Sequence, residues 1–218
     1  MAITISGTNG IVGAGFTVDN SGVSVTAGVG TFTSYQGSGA SLTQIPAANL
    51  VGICTSGLTR TGGFGKFASY AIIADVKAHN TGGGSFTNGA WRTRDLNTEI
   101  SDPDGIVSIS SNQFVLQSGS YFVKATAPAM ELNKHKIKLY NISDSADVQL
   151  GTSSRSGSSD STQTRSELST RFTIASAKTY EIRHQCETTN SGSYGMGNES
   201  DFGSDTELYT IVEIFKES

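Results

Sequence analysis

The side chains best suited to chemistry in this 218-residue chain are three histidines, His79, His135 and His184, and two cysteines, Cys54 and Cys186. A metal cage, or a nucleophile with its base, would show itself by spacing such as HxxxH on a helix or a CxxC pair. Neither spacing occurs. His135 instead alternates with Lys134 and Lys136, and His184 with Arg183 and Gln185. The expectation for each histidine is a strand position, partly buried and satisfied by a hydrogen bond. The cysteines lie far apart in dissimilar contexts and read as two buried thiols, since a disulfide requires that they meet in space. Gly62-Gly63-Phe64-Gly65-Lys66 lacks the GxxxxGK[ST] spacing and the following helix of a phosphate loop, and reads as a hinge. Asp102-Pro103-Asp104-Gly105 could offer two carboxylates to Ca²⁺, but the other oxygen ligands of a calcium loop are missing, which favours a turn. The carboxylate pair of a glycosidase cannot be nominated from the positions of Asp and Glu alone. No catalytic residue, metal site or cofactor is therefore expected, and the chain is read as working by assembly and contact.

Composition narrows the partners. A formal charge of −4 gives no basic footprint for nucleic acid. No run of about 18 apolar residues exists to insert in a membrane, and the start of the chain lacks the pattern of a signal peptide. Synthesis and assembly in a cytoplasm are the expectation.

The elements that must position these residues fall into two parts, 1–66 and 67–218. The first carries 14 Gly but only three charged residues, Asp19, Arg60 and Lys66. Such a segment is unlike a solvated disordered tail and should be covered by something. Its short alternating stretches, 2–6, 16–19, 22–26 and 30–35, read as strands separated by glycine turns. Strands this short cannot bury enough apolar area alone, so side-by-side chains are expected to supply the partner surface, as a stalk or a clasping arm. A flexible Gly/Ser linker is the alternative. The candidate assembly contacts are Phe16, Phe32, Tyr35, Leu42, Ile45 and Leu50. The spacing of Leu42, Ile45 and Leu50 around Pro46 allows a short helical turn or a wrapped loop, and 55–66 reads as the connection to the next domain.

From residue 67 the expectation is an antiparallel β domain. Strands are predicted over 69–79, 91–100, 105–110, 113–117, 120–127, 134–142, 146–150, 166–174, 178–187 and 207–216. Lys and Glu fall on the outward face of these strands. No long stretch shows helical periodicity, and so many strands in about 150 residues point to a double-sheet sandwich or jelly roll. Two polar loops interrupt them, 153–167 and 190–206. Tyr194, Met196 and Phe202, with Arg155 and Arg165, form the candidate surface-recognition loops, because aromatics in a Gly/Ser loop make a rigid amphipathic contact surface. The alternative is that these rings simply pin the loop to the sandwich.

Several segments carry a resemblance. GSFTNGAWRTRDLNTE (84–99), FVLQSGSYFVKATA (114–127), RFTIASAK (171–178) and YTIVEIFKE (209–217) resemble segments of bacteriophage tail-fibre and other virion appendage proteins. GSGASLTQIPAANLVG (37–52) resembles a connector of phage fibres. The order of these strands is similar to the jelly roll of complement globular heads and tumour necrosis factors. The resemblance implies an all-β fold, a homotrimer and a place in the virion, with the host surface, glycan or protein, and other virion proteins of the tail, baseplate or capsid shell as partners. A trimeric tail-fibre-type appendage is the first expectation and a capsid decoration or cement trimer the alternative. A glycan-cleaving tail spike is a remote third.

Overall fold

The computed structural model describes residues Phe16–Asp19, Gly22–Val25, 67–159 and 161–217, in two units that are treated separately. In the first, β1 (Phe16–Asp19) and β2 (Gly22–Val25) pair antiparallel with Phe16 opposite Val25 and Asp19 opposite Gly22. Both strands coincide with alternating stretches of the sequence. The hinge reading of 55–66, Cys54, and the candidates Phe32, Tyr35, Leu42, Ile45 and Leu50 lie outside the described residues.

The second unit is a sandwich of two antiparallel sheets. One holds β12 (Gln163–Ile174), β8 (Gly119–Met130), β14 (Glu207–Glu217), β3 (Phe67–Lys77) and β5 (Thr98–Ser101), in that order. The other holds β10 (Ala146–Leu150), β9 (Lys134–Asn141), β13 (Lys178–Cys186), β7 (Gln113–Leu116) and β6 (Val107–Ser110). Two short strands complete it, β11 (Ser154–Arg155) on β9 and β4 (Arg92–Thr93) on β13. Long strands that follow one another, such as β8 and β9 or β12, β13 and β14, fall on alternate sheets, the double Greek-key order of a jelly roll. The described residues contain no helix.

Period-two alternation sets which side chains enter. On β8, Tyr121, Val123, Ala125 and Ala127 are buried while Phe122 and Lys124 face out; on β9, Ile137 and Leu139 are buried between the lysines. Val212 and Ile214 of β14, Ile182 of β13 and Ile73 of β3 join them in one core. Each such aliphatic side chain contributes about 1.5–3 kcal/mol on burial.

Three sequence expectations change. The strand predicted over 91–100 is broken into β4 and β5, because Arg94 between them turns a fully buried guanidinium inward. It donates to Thr210 Oγ1 (2.8 Å) and the Met196 carbonyl (2.7 Å), bonds that a flat ladder strand could not make. His79 lies in a turn beyond β3 rather than in a strand, with Nε2 3.2 Å from Asp201. Polar 153–167 is not one loop, since β11 and the start of β12 run through it.

Candidate functional site

The two sheets turn different outer surfaces to solvent, and cross-strand register defines both. On the five-stranded sheet, Arg171, Phe122, Phe215 and Tyr70 stand in one row across β12, β8, β14 and β3. Phe67 closes over this row, its ring centroid 5.2 Å from Phe215 and 6.2 Å from Phe122, while Phe122 and Phe215 lie 6.3 Å apart. Phe67 is 44% and Tyr70 45% exposed, so three phenylalanines and a tyrosine form an apolar patch open to water. Arg171 closes one end through a two-toothed pair with Glu217, Nε to Oε1 at 2.7 Å and Nη2 to Oε2 at 2.5 Å. The next row holds the Lys124–Glu213 pair at 2.8 Å. Beyond it is a hollow of ≈ 480 Å³ between Thr126, Ile211, Glu167 and Leu150, where Thr126 Oγ1 is buried without a hydrogen-bond partner.

The outer surface of the other sheet is charged. Alternation on β9 places Lys134, Lys136, Lys138 and Tyr140 on this side, and on β13 Glu181, Arg183 and Gln185, with Glu187 just past its end; Lys138 and Glu181 are buried there. Trp91, leading into β4, lies against it with Lys138 Nζ 4.4 Å from the indole centroid, and the Arg183 guanidinium carbon stands 3.4 Å from the Tyr140 ring centre. These are cation–π distances.

Between the sheets, His135 and His184 meet across the β9–β13 ladder. His135 Nδ1 lies 3.0 Å from His184 Nε2, and His135 Nε2 lies 2.8 Å from Thr164 Oγ1. Burial, and next the Arg94 charge, push His135 down to about 4. The same two causes, with His135 itself third, hold His184 well below the ordinary imidazole range. Both rings are thus neutral at physiological pH. Phe86 packs on His184 at 4.8 Å between centroids, in a second core cluster with Ala129, Leu132 and Cys186. Cys186 is free of a disulfide, and burial raises its thiol to about 11, which withholds the reactive thiolate. Among the described residues no group of three or more His, Cys, Asp and Glu could hold a metal ion. The sequence expected each histidine alone; their meeting depends on strand register, which linear spacing does not carry.

At the Asp102 turn, Oδ1 accepts from Ile106 N–H (2.9 Å) and Oδ2 from Val107 N–H (3.0 Å), with Gly105 at φ +62°. Asp104 accepts instead from the Ser69 hydroxyl. The two carboxylates serve separate partners in folding the turn.

The candidate recognition residues do not converge. Met196 packs on the second core cluster, and its segment is zipped onto 83–86 by backbone bonds, Gly83 N–H to the Gly197 carbonyl (2.8 Å) and Met196 N–H to the Gly84 carbonyl (2.9 Å). The approach needs glycine: a Cβ on Gly83 would lie 2.6 Å from the Met196 oxygen. Tyr194 is half-buried in the same segment, while Phe202 is 73% exposed. Arg165 donates to the Tyr209 carbonyl at 3.1 Å, and Arg155 stands opposite Lys134 on the charged sheet surface. The sequence signal for that surface, Lys-x-Lys-x-Lys-x-Tyr over 134–140, was present; the approach of Trp91 to it was not legible.

The fold class is therefore an all-β protein with an antiparallel jelly-roll sandwich. No protein-family model matches the chain, and no curated protein does. Among solved structures it is similar to murine APRIL, at 6% identity and a TM-score of 0.46 over 68% of this chain and 98% of that one. It is also similar to the globular domain of a zebrafish complement 1qA protein, at 12% identity and a TM-score of 0.44 over 68% of this chain and 96% of that one.

Proposed function

We propose that this protein is a bacteriophage virion structural subunit, a homotrimeric tail-fibre-type appendage that attaches through residues 1–66 and meets the host surface with its β head. It works by assembly and contact, not by catalysis. The observation that carries the assembly half is the open aromatic row of Phe67, Tyr70, Phe122 and Phe215. Such a patch on a strand-paired, rigid sheet costs solubility unless a partner covers it. A second copy of this chain is the proposed occupant, because Phe67 follows directly in sequence on the charge-poor segment, whose short alternating stretches are expected to need partner chains. The virion half is supported by the resemblance of 37–52, 84–99, 114–127, 171–178 and 209–217 to phage appendage segments.

The test has two arms. Sedimentation of the purified chain at micromolar concentration should give a trimer, and a monomer overturns the assembly. Quantitative mass spectrometry of purified virions should find the chain in copies tied to the tail. Copies in proportion to shell subunits would move it to capsid decoration, and absence from particles would end the virion reading.

A further inference from the structure

A groove of ≈ 440 Å³ crosses the charged sheet surface between Trp91, Lys134, Lys136, Ser153, Gln185 and Glu187. Its chemistry is set by which charges remain after pairing. Five cations stand on this side of the sheet, Lys134, Lys136, Lys138, Arg155 and Arg183, against three carboxylates, with Lys138 and Glu181 themselves buried. Lys134 pairs with Glu187 (3.0 Å), Lys138 with Asp147 and Arg183 with Glu181 (both 2.5 Å). Lys136 and Arg155 are left with no ion pair among the described residues, an excess of two positive charges on a chain whose formal charge is −4. This local excess is opposite in sign to the formal charge of the whole chain, and Glu187 already feels the Arg155 charge.

Its walls are mainly apolar, with Trp91 and Leu150 among them, and unengaged polar groups stand on them. The Gln185 amide and Ser153 hydroxyl have no hydrogen-bond partner among the described residues, and the Lys136 ammonium is likewise free to donate. Beside them the single tryptophan of the chain offers an indole plane, held in place by Lys138. One flat ring beside amide, hydroxyl and ammonium groups suits a pyranose, which presents a C–H face to the ring and hydroxyls to its rim. The surplus cations select for a carboxylate or sulfate on that sugar. Single-stranded nucleic acid calls for successive stacking rings along a longer basic track, and of the two rings that line this groove His135 is buried, which leaves Trp91 alone as a platform.

We propose that this groove is a binding site for an anionic saccharide, with Trp91 as the stacking platform and Lys136 as the charge-reading residue. The proposal rests on the reading of the β head as a contact domain and gives that contact a ligand class. The experiment uses the full chain. Trp91 is the only indole, so its fluorescence reports this site alone. Sialyllactose supplies a carboxylate and a short heparin oligosaccharide supplies sulfates; lactose and an oligothymidylate are the controls. At least one anionic saccharide should shift the emission and give a calorimetric isotherm, whereas lactose should bind at least about tenfold more weakly. Lys136→Gln should lower the affinity about tenfold without altering sedimentation, and Trp91→Ala should abolish heat release. Lactose binding as tightly as both anions, oligothymidylate binding tighter than both, silence of both anions, or an affinity untouched by Lys136→Gln each overturns the proposal. A silent groove in a protein still found in virions refutes the saccharide site alone, whereas a saccharide-binding chain missing from particles refutes the virion reading alone.

Discussion

The two outer surfaces of this sandwich are built on the same ladder geometry and use it for opposite ends. On the five-stranded sheet, one cross-strand row is aromatic and the ionic groups beside it are paired, Arg171 with Glu217 and Lys124 with Glu213, while Arg165 and Glu167 farther along β12 make no ion pair among the described residues. On the other sheet the outward row is cationic, and after pairing two charges are unmatched. An apolar surface whose neighbouring charges are paired can be buried against a copy of itself at lower desolvation cost than a surface with unpaired cations. In the proposed reading the first surface serves assembly and the second recognition, so the charged surface would stay open when the aromatic one is covered.

The comparison breaks most visibly if charge is placed on the wrong side. Phe215→Asp puts a carboxylate in the centre of the aromatic row, where burial without a partner costs on the order of a few kcal/mol, repeated in every copy of a trimer. The expected outcome is a folded monomer in sedimentation. Lys136→Gln, on the opposite surface, should leave the oligomer intact. A Phe215→Asp variant that still sediments as the parent would show that this face is not the contact.

Arg94 comes next in size. It joins the strand interior to the 190–206 segment through Thr210 Oγ1 and the Met196 carbonyl, and burial lowers its guanidinium to about 10 while Asp75 and Asp95 oppose that shift. Arg94→Ala leaves those acceptors without their donor and removes a charge that favours the buried Asp75 carboxylate, which keeps its pair with Lys77 (3.1 Å), for an expected loss of about 3 kcal/mol. Denaturant unfolding measures the loss, and hydrogen exchange should show faster opening of 193–197 while β8 and β14 keep their protection. Uniform exchange through the head would mean that the loop is no separable unit.

The sandwich was legible because alternation over 120–127, 134–140 and 209–215 is regular, and because turn residues at 102–105 and 117–119 separate the strands. It failed where a side chain overrode the pattern. Arg94 reads as an outward residue of a strand by composition and is buried instead, splitting 91–100 into two short strands. The surfaces were half legible: Lys134, Lys136 and Lys138 announce an outward cationic row, but which of them lacks a partner depends on Glu187 and Asp147 arriving from other strands. Phe67, Tyr70, Phe122 and Phe215 are separated by up to about 150 positions and meet only through register, so no window of sequence contains the aromatic row.

Acid should act on the interior beneath the charged surface. His135 and His184 both have folded-state values below the ordinary imidazole value of about 6.5, so protons bind the unfolded chain more tightly. Their contribution to stability is complete above that pH and is lost as pH falls from about 6.5 through about 4, the value for His135. For His135 the loss is of order 2–3 kcal/mol. Melting temperatures taken across this window should fall more steeply for the parent than for a His135→Gln/His184→Gln double variant. Parallel curves would locate the acid sensitivity in the carboxylates.

The smallest effect on stability, and the sharpest on the division of labour, is expected at Phe202. Its backbone is held on both sides: the Glu207 carboxylate accepts from Ser200 N–H (3.0 Å) and Asp201 N–H (3.2 Å), and Asp205 N–H donates to the Phe202 carbonyl (3.1 Å). The ring itself is 73% exposed and contributes little to the core. Phe202→Ala should therefore change unfolding free energy by no more than about 0.5 kcal/mol and leave both sedimentation and saccharide binding as in the parent. An exposed aromatic on an anchored turn is a ready contact, so adsorption of particles to host cells should weaken even though every property of the isolated head is unchanged. If adsorption is also unchanged, the loop tip has no part in recognition, and host contact falls to the groove at Trp91 and Lys136, a variant of which would then have to reduce adsorption by itself.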